Sequence, residues 1–144
     1  MKVHQALKEK KKLVSGITQI TELIKSNNSI QAENKFEFDI NELLQQRKQK
    51  VNELIALKLR LAKTSVKIQP LIFKLSELKQ ELKMFREMDT QQAMVTHNYS
   101  DLQVNKKVQL SKADVLKKID ALTAQIDEVQ NKIDEFNYET ELLR

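Results

Sequence analysis

Residues 119–136 read IDALTAQIDEVQNKIDEF. Ile119, Leu122, Ile126, Val129, Ile133 and Phe136 are separated by 3, 4, 3, 4 and 3 residues, an apolar seam of period 3.5 that belongs to an α-helix packed along a partner. Just upstream, Ser111 and Asp114 have the spacing of a capping box, in which hydroxyl and carboxylate satisfy free first-turn amides, so the helix should start near Ser111. The same logic applies upstream. Val3, Ala6, Leu13, Ile17, Ile20 and Ile24 form a less pure seam that fades near Ser26, with Gly16 inside it at a modest propensity cost. Asp39 with Glu42 forms a second capping-box pattern before a helix running through LIALKLRLA. Pro70 disfavours helical geometry at Gln69, after which Leu71, Leu75, Leu78, Leu82 and Phe85 resume a seam.

Composition agrees with long helices. The 144 residues hold one glycine and one proline, too few punctuating residues for a sheet protein, and 40% are hydrophobic against 31% charged, so the core is thin. The expected fold is all-α: an elongated four-helix bundle or coiled-coil hairpins in a single domain over 1–144. Its helices fall near 2–26, 40–66, 71–89 and 112–140, with a short strand-like insertion before the last. No cysteine is present, which excludes disulfides, thiolate metal sites and cysteine nucleophiles. The first residues lack the apolar run of a signal peptide, and no window supplies 18 uncharged apolar residues, so a soluble cytoplasmic protein without a membrane partner is expected.

The insertion is LQVNKKVQL, residues 102–110, where Leu102, Val104, Val108 and Leu110 fall on even positions. NKFEF, residues 34–38, is the nearest pairing candidate; the alternatives are pairing with a symmetry copy or an irregular capping loop. Val104 and Val108 flank Lys106 and Lys107, as in an edge guarded against uncontrolled pairing, which makes both valines candidate interface residues. A second candidate interface is the apolar arc of Leu54, Leu57, Leu59 and Leu61. At 100° per residue it spans roughly 200°, wider than one neighbouring helix covers. Both features predict a homo-oligomer.

Net charge is +5 and the pI is near 9.3, but the charge is not evenly spread. Residues 1–27 carry net +4 and residues 40–69 net +5, whereas residues 112–144 carry net −3, with Asp120, Asp127, Asp134 and Glu141 recurring every seven residues. Basic helices meeting an acidic one account for this pattern as complementary flanks. The alternative is nucleic-acid binding through Lys8, Lys10, Lys11, Lys12, Arg47, Lys48 and Lys50, although these lack the interleaved aromatics of a single-strand binder.

No catalytic, cofactor or metal residue is assigned, and no enzyme is expected. His4 is isolated, His97 with Asp101 falls short of a zinc set, and the lone glycine cannot build a phosphate loop. Carboxylates seven residues apart lie about 10 Å apart along a helix, too far for paired acid–base work.

Asn137, Tyr138, Thr140, Glu141 and Leu142, together with the opening MKVHQALKEK and Thr64, resemble the septicolysin-like family of small bacterial helical proteins nearly end to end. Tyr138 stands where that family more usually has Trp, and Ser65 where it has Asn. The family label implies a membrane-active, pore-forming protein, whereas seams of coiled-coil period are better suited to partner helices. Thr123, Gln130 and Asn137 form a polar line spaced by seven, read as register-fixing hydrogen bonds between helices. A sharper reading is a polar pocket of Tyr99, Asn137, Tyr138 and Glu141. The helix-strand-helix order also suggests a prefoldin-like holdase.

Overall fold

The computed structural model describes residues 1–91, 94–96 and 103–144. Helices α1 (Val3–Asn27) and α2 (Ile40–Thr64) are followed by a 3-10 turn (Ser65–Ile68) and helix α3 (Gln69–Glu87). Strands β1 (Met94–Thr96) and β2 (Gln103–Asn105) then precede helix α4 (Lys112–Glu139). The fold is all-α with a two-stranded antiparallel hairpin inserted before the last helix. Where the seams predict a single domain, the chain divides into two compact units, Met1–Ile68 with Glu135–Arg144, and Gln69–Asp134. Narrow apolar stripes bury locally, so each unit gathers its own buried positions.

In the first unit α1 and α2 pack together, and Val3, Ala6, Leu13, Leu57, Leu61 and Leu142 form the buried core, with Leu7, Leu54 and Phe136 against it. Farther along the pair, Arg47 Nε donates to Thr21 Oγ1 at 2.9 Å, and Thr21 Oγ1 donates to the Ile17 carbonyl at 2.7 Å. A Cβ at Gly16 would lie 3.7 Å from Lys50 Cδ, an ordinary contact, so nothing in the packing requires glycine there. The Asp39 carboxylate accepts from the Asn41 amide at 3.0 Å and caps α2. After Thr64 the chain tightens into 3-10 geometry, and Pro70 is the second residue of α3, where its missing N–H is of no consequence. The break expected at the proline takes this form.

In the second unit Leu78 and Leu82 of α3 and Val115, Leu122, Val129 and Ile133 of α4 are buried. Five of these six lie on the two heptad seams read from the sequence on α4 and α3 at intervals of four or seven, and Val115 extends the α4 seam upstream. Ser111 Oγ accepts from the Asp114 amide at 3.1 Å, which fixes the start of α4. Lys118 Nζ stands 6.0 Å from the centroid of the Phe85 ring.

The strand reading needs correction. Extended pairing covers Gln103–Asn105 only, and its partner is Met94–Thr96 in the same chain, with Val95 opposite Val104. A hairpin between neighbouring segments closes a shorter loop than pairing with residues 34–38 would, and so loses less chain entropy. Phe36 and Phe38 are in no strand, and Val108 and Leu110 lie beyond β2, half-buried. At the foot of the hairpin Asp89 accepts from the Gln91 amide at 2.9 Å and from Lys106 Nζ at 3.1 Å. The Gln91 hydrogen bond first, then Lys106, hold the Asp89 carboxyl below its ordinary value. His97, Tyr99, Asp101 and Leu102 lie outside the described residues.

Candidate functional site

The two ends of the chain meet in the first unit. Lys2 and Glu141 form an antiparallel bridge, in which the Val3 amide donates to the Thr140 carbonyl at 3.0 Å and the Leu142 amide to the Met1 carbonyl at 2.8 Å. The Glu141 carboxylate receives Lys2 Nζ at 3.0 Å and the Met1 α-ammonium at 3.1 Å, and Lys2 Nζ also donates to the Glu139 carbonyl at 2.9 Å. These hydrogen bonds, that of Lys2 first, lower the pKa of Glu141. One helical turn back, the rings of His4 and Tyr138 stack at 4.3 Å with 26° between planes. His4 Nδ1 lies 3.3 Å from the Asn137 carbonyl, and since a carbonyl only accepts, Nδ1 carries the proton in this contact.

Thr64 fastens this clasp to α2. It is the one buried polar residue among the described residues, and its hydroxyl donates to the Arg60 carbonyl at 2.8 Å while accepting from the Leu143 amide at 2.9 Å. Arg60 Nε donates to the Leu143 carbonyl at 3.0 Å. Buried Leu142 thereby completes the α1–α2 core.

The structure therefore brings Asn137, Tyr138 and Glu141 to one place but builds a clasp from them: the Glu141 carboxylate is engaged and Tyr138 lies exposed on His4. His4, isolated in the sequence, is the partner that sequence reasoning missed, because the contact spans 133 residues and carries no local signal. The polar line is also corrected. Thr123 Oγ1 donates to the Ile119 carbonyl at 2.8 Å and Gln130 Nε2 to Asp134 Oδ1 at 2.9 Å, both within α4, so at these two positions the bonds do not reach a neighbouring helix. Among the described residues no group of three or more His, Asp or Glu is placed to hold a metal ion. A groove of about 350 Å³ near the α1–α2 loop is lined by the apolar Ile20, Leu23 and Leu43 and the acidic Glu37, Asp39 and Glu42, among others.

The predicted leucine arc divides in two. Leu57 and Leu61 are buried and Leu54 packs beside them, so these three belong to the chain's own core, whereas Leu59 is 59% exposed. Leu59 is not alone. Leu44 and Ile55 are 48% and 51% exposed, Val51 is half-buried and Ala62 exposed. At 100° per residue these five positions fall within about 80° of one another, centred about 130° from the core face. Helix α2 thus carries a second apolar stripe that the described residues leave uncovered.

Fold and site define an all-α protein closed by a clasp of its ends, with no catalytic constellation assembled there. The chain belongs to a family of unknown function, DUF6847, whose profile matches residues 10–142. No curated protein matches it. Among solved structures it is similar to a functionally unknown conserved protein from Corynebacterium diphtheriae, at 16% identity and a TM-score of 0.83 over 99% of both chains. That likeness supports the all-α fold and carries no function. No helix among the described residues is long and apolar enough to cross a membrane.

Proposed function

We propose that this protein is a homo-oligomeric structural or protein-interaction module of the cytoplasm, assembling through coiled-coil packing of helix faces. The observation that supports it is the outer stripe of α2, where Leu44, Ile55 and Leu59 are each about half exposed along one face. Aliphatic residues at this spacing gain free energy when a second helix removes them from water, at roughly 25 cal/mol per Å² of apolar area. Size exclusion coupled to light scattering tests the reading. Micromolar protein should elute as a defined oligomer, and a monodisperse monomer would refute it.

The septicolysin-like resemblance stands beside this as a separate proposal. Among the residues that carry it, Glu141 bridges Lys2, Leu142 lies in the core with Val3, and the Thr64 hydroxyl accepts from the Leu143 amide. The membrane activity that its name implies predicts leakage of anionic vesicles; we expect none.

A further inference from the structure

We infer that the outer stripe of α2 is covered by the acidic face of α4 from a second copy of the chain. The inference rests on the homo-oligomer reading and names its contact.

Charge selects the occupant. Lys48, Lys58 and Lys63 are exposed and border the stripe, whereas the two acids of α2, Glu42 and Glu53, project about 160–180° from Leu44. An approaching helix therefore meets aliphatic side chains bordered by positive charge alone. The matching surface is on α4, where Leu116, Asp120, Ala124, Asp127 and Asp134 are all exposed and lie within about 80° of one another. Among the described residues, the ion pairs formed within the chain include none of these three lysines or three aspartates. Length fits as well. Lys48 to Lys63 spans about 22 Å and Asp120 to Asp134 about 21 Å at 1.5 Å per residue. Leu116 and the small Ala124 leave room for Leu44, Ile55 and Leu59 to approach. These aliphatic residues, with no aromatic among them, suit a helix better than the bases of a nucleic acid.

Two triple variants test the contact, Lys48→Glu/Lys58→Glu/Lys63→Glu and Asp120→Lys/Asp127→Lys/Asp134→Lys, each checked for helicity by circular dichroism. Light scattering on dilution should show each alone associating at least about tenfold more weakly than the parent protein. An equimolar mixture should recover parental assembly, because each reversed face then meets its complement. If either variant loses helicity, Lys48→Gln/Lys58→Gln/Lys63→Gln takes its place. That variant should weaken association less and reduce its salt sensitivity.

Parent protein that assembles together with both charge-reversed variants that assemble equally well would overturn this contact and leave the oligomer reading intact. A monomeric parent would remove both. Labelled duplex DNA bound by the parent and released by the lysine variant, with assembly unchanged, would overturn the inference in favour of nucleic acid.

Discussion

Glu141 shows how one exposed side chain joins distant parts of a chain. Its carboxylate accepts from Lys2 and from the α-ammonium of Met1, while its backbone neighbours pair with Val3 and Met1. Both hydrogen bonds favour the charged form, so the folded pKa lies below the unfolded value of about 4.3. A depressed carboxyl contributes stability that is present above the unfolded pKa and is lost as pH falls through the folded one. The clasp should therefore loosen only in acid, below the ordinary glutamate range. Carboxyl NMR should find Glu141 titrating below an ordinary glutamate, and Lys2→Met should raise its midpoint; an unchanged midpoint would refute the assignment. Thr64 works at the same scale by a different means. Its buried hydroxyl makes one bond as donor and one as acceptor, so no polar group is stranded at the point where Leu142 enters the core.

At the scale of the element, α2 separates what the sequence merges. One face carries Leu57 and Leu61 into the core, while Leu59, two residues from each, points to solvent. Leu57→Ala should cost about 2–5 kcal/mol in urea unfolding, the range for a buried leucine truncation. Leu59→Ala should change monomer stability by no more than about 0.5 kcal/mol and register instead in assembly. Equal costs for the two would contradict the division. In α1, Gly16 sits in a helix interior with room for a Cβ beside Lys50, so Gly16→Ala should raise stability by about 0.5–1 kcal/mol, read as a higher urea midpoint.

The helices were legible because their signals are local: seams repeat within a few residues, and the caps at Ser111 and Asp39 act within three. The split of the α2 arc was not, since it depends on which side α1 occupies. Nor was the hairpin partner. Met94–Thr96 is three residues long, too short to carry a periodic signal, and the paired stretch of β2 is no longer. The candidate site was half legible for the same reason: Asn137, Tyr138 and Glu141 lie close in sequence, whereas His4 and Lys2 reach them only through the fold.

Across the whole molecule, a net charge of +5 conceals a division between basic and acidic segments. The basic excess of residues 1–27 and 40–69, +9 in sum, allows an affinity for any polyanion at low salt. Such binding and protein association differ in how they respond to salt. Phosphate contacts release counterions, so the logarithm of affinity falls with that of salt concentration at about −0.9 per neutralised phosphate, and even a few contacts lose most of their strength between about 50 and 200 mM. An interface with an aliphatic centre keeps its apolar contribution as charges at its edges are screened. We therefore expect any duplex DNA binding seen at about 50 mM salt to be lost by about 200 mM, whereas the oligomer survives that range with only moderate weakening. Fluorescence anisotropy with labelled duplex, run alongside light scattering at the same salt concentrations, measures both. DNA affinity that persists at about 200 mM while assembly dissolves would reverse the assignment and place the principal partner of α2 among the nucleic acids.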